Sequence, residues 1–155
     1  MGTPHDPEYP PILPPGFHDF TPADLEDRFV KPFPTSSTRS DLLGRFLALC
    51  SIFKRWGTQI TLWMNGSFVT EKEQPDDIDV AFLLDSTLES SLNRTQKEEL
   101  QDLTRRSIET KLRYGCHFFV IDPDEMKDRV YWRGLFGFDR DDVPKGVVRL
   151  KIGSP

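Results

Sequence analysis

Two short stretches hold residues whose types and spacing could do chemistry: Gly66-Ser67 and, after nine intervening residues, Asp77-Ile78-Asp79. If the chain is extended from Asp77 through Leu84, alternation sends Asp77 and Asp79 to one face while Ile78, Val80 and Phe82 turn to the other. Two carboxylates on one exposed face can hold a divalent cation. Magnesium takes oxygen ligands and usually completes its shell with water and substrate phosphates, so Asp77 and Asp79 beside a phosphate pocket form a sensible half-site. Gly66-Ser67 could supply the other half. A glycine just after a strand allows close backbone approach, and if Phe68 to Lys72 form a helical turn, its first amides and the Ser67 hydroxyl face the anion. Plainer readings stand beside these: a polar loop entering a strand after Pro75, and an ordinary turn at Gly66-Ser67. Lys145, with Lys72 and Arg149, is a candidate phosphate contact that solvated surface charge explains as well.

The elements that must position these residues can be read from punctuation and periodicity. Nine of the 13 prolines fall at or before Pro34, which predicts a Pro-rich extended arm over 1–20, polyproline-like at least to Pro15, and a single domain over 21–155. Thr21-Pro22-Ala23-Asp24 reads as the start of a short helix through Phe29. Leu42, Leu43, Phe46, Leu47, Cys50 and Phe53 recur at helical spacing before Gly57, a left-handed stop. A strand over 59–64 runs into Asn65-Gly66-Ser67, and a second covers Ile78 to Leu84. Thr95-Gln96-Lys97-Glu98 has the form of a capping box opening a helix with Leu100, Leu103, Ile108 and Leu112 on one side and Gly115 as its end. Cys116 to Ile121 is a third strand, Pro123 to about Phe136 another helix, and Gly146 to Leu150 a last strand. This order predicts an α+β domain, a mixed β-sheet of about four strands with helices packed on one face.

Bulk properties narrow the classes. The chain has 155 residues, 37 % of them hydrophobic, enough for one domain with a real core. A net charge of −5 and a pI near 5.2 argue against a surface that grips a nucleic-acid backbone nonspecifically. No stretch has the length and apolarity of a signal peptide or membrane span, so the expectation is a soluble cytoplasmic protein without membrane contact. Cys50 and Cys116, far apart in apolar surroundings, read as two buried reduced thiols.

With Leu62-Trp63-Met64-Asn65-Gly66-Ser67, nine intervening residues and Asp77-Ile78-Asp79-Val80, the chain resembles the DNA polymerase beta-like nucleotidyltransferase superfamily. Its signature is an apolar strand, Gly-Ser or Gly-Gly, about nine to thirteen residues, and Asp-x-Asp or Asp-x-Glu in a second strand. The resemblance covers roughly 38–121, and the stretch from Gly137-Phe138-Asp139-Arg140 to Lys145-Gly146 looks like a small bacterial branch of that superfamily. It implies a nucleoside triphosphate held by Gly66, Ser67 and Lys145, Mg2+ or Mn2+ on Asp77 and Asp79, and transfer of a nucleoside monophosphate to a hydroxyl of a protein or RNA acceptor. By analogy with minimal members, that acceptor could be a cognate toxin or antitoxin, or a component of a defence system.

One position departs from the superfamily. Members usually carry a third carboxylate on a later strand, where this chain has His117. Imidazole is a poor ligand for magnesium and an acceptable one for manganese, and in its neutral form it can act as a base near pH 7. The alternative is a degenerate, noncatalytic protein that binds a nucleotide or a partner, and the plainest reading is a histidine satisfied at a sheet edge.

Overall fold

In the computed structural model, residues 9–139 and 141–153 are described. Alternation organises the molecule. In β3 (Ile78–Leu83), Ile78, Val80 and Phe82 are fully buried in the larger of two apolar clusters, while Ala81 belongs to a second cluster on the opposite face. Beside it, β2 (Ile60–Asn65) is antiparallel, and β4 (Cys116–Ile121) is parallel on the other side. Farther out lie β5 (Gly146–Ile152), antiparallel to β2, and β1 (Gly16–Phe20), parallel to β5. The result is a five-stranded mixed sheet in the order β1-β5-β2-β3-β4.

Among the described residues six α-helices accompany this sheet. α1 (Leu25–Phe29) follows a tight turn in which the Thr21 amide and hydroxyl both donate to the Asp24 carboxylate. α2 (Arg39–Lys54) buries Leu42, Leu43, Phe46, Leu49, Cys50 and Phe53 on the larger cluster. Gly57 follows with a left-handed φ of 75°. α3 (Ser86–Ser91) is capped by Asp85, whose carboxylate accepts the Leu88 amide at 2.7 Å. α4 (Arg94–Arg105) and α5 (Ser107–Tyr114) complete that layer, and α6 (Met126–Gly137) stands apart from it.

Several expectations need correction. The sheet has five strands, not about four, because Gly16–Phe20, read as the end of the arm, pairs with β5 as an edge strand. Prolines just before it are compatible with such a place, where no ladder needs their missing N–H. The arm from Pro10 to Leu13 is also held: Glu71 N donates to Pro10 O at 2.9 Å, Ile12 N to Val69 O at 3.0 Å, and Leu13 is buried. Residues 1–8 lie outside those described. The helices do not share one face, since Trp132 and Phe136 of α6 pack with Phe119 and Trp63 on the side opposite α2.

The capping box sits two residues earlier than expected, with Asn93 and Gln96 exchanging side-chain to backbone bonds of 2.8 and 2.9 Å. Ile108 and Leu112 are 75 % and 72 % exposed, not core. The single helix expected from Thr95 to Gly115 is broken at Arg106 (φ −96°, ψ 55°), so Leu100 and Leu103 of α4 share no continuous stripe with α5, where the inward position falls to Thr110. Thr110 is indeed buried, its hydroxyl bonded to Leu103 O. Gly115 ends α5 with a left-handed φ of 67°, as its position implied. No helix among the described residues is long and apolar enough to cross a membrane. Both cysteines are free and buried, and burial pushes the Cys50 thiol up to about 12.

Candidate functional site

The strand register assembles the site. Asn65 at the end of β2 is opposite Asp79, and Asp79 is opposite His117 of β4, so three polar side chains cross one end of the sheet on the face that α6 covers. Asp77 immediately precedes β3 and shares that face by alternation. Gly66 follows β2 with φ 93° and ψ −169°, a conformation open in practice only to glycine. A side-chain carbon there would stand 3.0 Å from Asp79 Oδ2 and 3.2 Å from Asp79 N, so the Gly66 backbone lies directly against the inner acid. Ser67–Val69 then form one 3-10 turn, shorter than the helical turn through Lys72 that the sequence suggested. Val69 N bonds to Gly66 O at 3.1 Å. The Ser67 and Phe68 amides therefore have no acceptor within the turn.

These residues line a cleft of about 780 Å³ between the sheet end and α6. It brings together Gly66, Ser67, Asp77, Asp79, His117 and Lys145. Lys72 also lines it, whereas Arg149 does not; its guanidinium grips Asp19 of the edge strand at 2.7 and 3.1 Å. Asp122, which directly follows β4, is spent locally, its carboxylate accepting the Asp124 amide.

Burial first, and the Asp77 charge second, raise the Asp79 pKa above the ordinary carboxylate value, while His117, Lys145 and Lys111 pull it back. Lys111 Nζ lies 3.3 Å from Asp77 Oδ2, and His117 Nδ1 lies 3.8 Å from Asp79 Oδ1. The two acids thus repel each other in a shielded place, and a cation between them would remove that repulsion. Among the described residues no three His, Cys, Asp or Glu side chains converge into a closed metal cage. Asp77 and Asp79 instead offer an oxygen half-site, of the kind magnesium or manganese completes with water and phosphate. Those two donors fit such an ion.

Three contributors were not foreseen. Asn65 is buried and ties the cleft's two walls: its amide nitrogen donates to Phe136 O of α6, and its oxygen accepts the Gly66 amide at 2.8 Å. A lone asparagine at the end of an apolar strand, just before Gly-Ser, was the available signal. Lys111 had none, because only the docking of α5 against β4 brings it to Asp77. The third is the wall opposite the acids, where Tyr131, Leu135 and Phe138 line the cleft while remaining substantially exposed.

The chain belongs to a family of unknown function, DUF6932, whose model matches residues 4–151. Comparison with curated proteins and with solved structures finds no match in either.

Proposed function

We propose that this protein is a metal-dependent nucleotidyltransferase of the cytoplasm. It moves a nucleoside monophosphate from a nucleoside triphosphate to a hydroxyl of a protein or RNA acceptor. The observation that carries this reading is the contact of the Gly66 backbone with Asp79, which places the Gly-Ser turn and both acids on one wall of the cleft.

In this reading the amides of Ser67 and Phe68 and the Ser67 hydroxyl receive the phosphates, with Lys145 and Lys111 adding positive charge from the cleft lining. Asp77 and Asp79 would hold Mg2+ or Mn2+, which supplies charge neutralisation at the phosphates. The acceptor oxygen attacks the α-phosphorus in line, a new P–O bond forms, and the bond from that phosphorus to the bridging oxygen breaks. Pyrophosphate leaves with the electron pair. His117, half exposed beside Asp79, is placed to take the hydroxyl proton, and the carboxylate holds the resulting imidazolium. Such catalysis rests mainly on positioning and charge, so loss of one acid slows the transfer more than it weakens triphosphate binding.

A second reading has a specific observation in its favour. The position where the superfamily carries its third acid is occupied by His117, which pairs with Asp79. A degenerate site would bind nucleotide or a partner without turnover. Incubation with each labelled nucleoside triphosphate, Mg2+ or Mn2+ and a cell lysate separates the two. A labelled protein or RNA band that disappears in Asp77→Asn and Asp79→Asn supports the transferase; the same band persisting at wild-type intensity in either variant refutes it. Metal-dependent nucleotide binding with no label under any condition supports the binder.

A further inference from the structure

Arg39, the first residue of α2, is completely buried. Its Nη1 donates to Phe29 O at 2.8 Å and Phe68 O at 2.7 Å, and its Nη2 to Thr70 O and Lys72 O at 2.6 Å each. Nε adds a 3.2 Å bond to Lys72 O. The guanidinium carbon lies 3.7 Å from the Phe33 ring centroid and 5.2 Å from that of Phe68. Every hydrogen-bond partner is a backbone carbonyl, and among the described residues no carboxylate forms an ion pair with it. Burial lowers its pKa to about 10, which leaves it charged at neutral pH. An apolar side chain would fill this space without the cost of desolvating a charge, so the guanidinium is better explained by what it holds than by packing.

What it holds is one segment. Phe68, Thr70 and Lys72 are alternate residues just after Gly66-Ser67, and their carbonyls all turn to Arg39. The groups between them turn to the arm, where Val69 O accepts from Ile12 N and Glu71 N donates to Pro10 O. From Thr70, whose backbone is extended (φ −117°, ψ 176°), the segment therefore leaves the 3-10 turn and runs between a guanidinium fork and the arm, without a regular strand on either side. Thr70 links it back to the turn, because its amide and hydroxyl donate to Ser67 O at 3.1 and 2.7 Å.

We infer that Arg39 is a positioning residue of the cleft: its fork fixes the carbonyls of Phe68, Thr70 and Lys72 and thereby sets the Gly66-Ser67 turn against Asp79. Only arginine offers five donors in a rigid planar array; lysine keeps the charge but has three rotatable donors on a single nitrogen. The consequence for ligands rests on reading Gly66-Ser67 as the phosphate-facing wall, while the consequence for the loop does not.

The test compares Arg39→Lys and Arg39→Met with Leu103→Ala, a core truncation in α4 outside the cleft lining. Residue-resolved amide exchange and calorimetric titration with tripolyphosphate and with ATP plus Mn2+ are the readouts. In Arg39→Lys, the amides from Val69 to Lys72 should exchange about tenfold faster or more while those of β2 and β3 keep their protection, and affinity for either probe should fall about tenfold. Leu103→Ala should lose global stability without losing affinity. Should Arg39→Met fail to fold, the lysine variant still decides. Exchange that accelerates evenly over loop and sheet, or unchanged affinity once the loop has opened, overturns the inference. If the wild-type protein binds neither probe, the nucleotide reading falls. The exchange pattern then decides the clamp by itself: acceleration confined to the loop upholds it, and even acceleration overturns it.

Discussion

Two glycine substitutions with opposite expected signs test the geometry on which the site reading depends. At Gly66 the φ of 93° and ψ of −169° fall where side chains are strained, and the added carbon would meet the Asp79 backbone nitrogen at 3.2 Å and its carboxylate at 3.0 Å. The conformational cost is of order 1–3 kcal/mol. The carboxylate can move aside, but the strand backbone cannot, so crowding adds about 1 kcal/mol, the low end for overpacking. Gly66→Ala should therefore lose about 2–4 kcal/mol, a fall in Tm of about 4–16 °C for a domain of this size. Gly44 is the control: it lies within α2 with ordinary φ, and a carbon added there meets nothing within 4 Å. Gly44→Ala should gain about 0.5–1 kcal/mol from helix propensity. Urea titration of the three proteins measures both differences, with equal m-values required for comparison. A Gly66→Ala protein within about 0.5 kcal/mol of wild type would show that Gly66 does not press on Asp79, and the principal support for the nucleotidyltransferase reading would go with it.

The acids make a second expectation, with a sign fixed by linkage. Because the folded protein raises the Asp79 pKa above the ordinary aspartate value of 3.8, it binds that proton more tightly than the unfolded chain does. The resulting stability is present at pH below 3.8 and is lost as pH rises through the folded value. Without divalent cations, Asp79→Asn should thus match wild type in acid and exceed it increasingly toward neutral pH. Thermal scans across that range test this, and a difference that is flat or reversed in sign counts against the repulsion described for the two acids. A stabler protein that has lost transfer would be the usual bargain between an active site and its fold. On the helix surface, Ile108→Ser and Leu112→Ser should each change stability by no more than about 0.5 kcal/mol, whereas Leu103→Ala should cost about 2 kcal/mol or more. Comparable losses at all three positions would restore the single apolar stripe that the exposure of Ile108 and Leu112 contradicts.

Sequence made the grouping of the candidate residues more legible than the architecture, for a physical reason. Gly66-Ser67 and Asp77-Ile78-Asp79 belong to two strands joined by a short connection, so local alternation and one antiparallel pairing suffice to bring them together, and Asn65 meets Asp79 in that register. Of the contributors that were missed, Lys111 and the wall that α6 forms depend on longer connections. Lys111 reaches Asp77 only because α5 packs on β4, and α6 closes the cleft only because its aromatic residues find Trp63 and Phe119 on the far face. Nothing in the periodicity of either helix specifies which face of a sheet it will take. β1 was hidden for a different reason. Its five residues follow a proline-rich run, and they become a strand through the partner that β5 provides.

The same distinction bears on His117. Register alone puts it opposite Asp79, and its exposure leaves it open to a substrate, so its location was readable while its role was not. If the imidazole is only a polar neighbour of Asp79, His117→Gln should leave transfer intact and without a new pH dependence, since another polar side chain would stand there. If it takes the acceptor proton, His117→Gln should slow transfer by a factor of about 10²–10⁴ and abolish the acid limb of the pH–rate profile. Nucleotide affinity should hardly change, because on the proposed reading the phosphates would sit at Gly66-Ser67, on the other side of the acids. A loss of binding with the pH profile unchanged would exclude the proton-transfer role and make the histidine part of the nucleotide's own contacts.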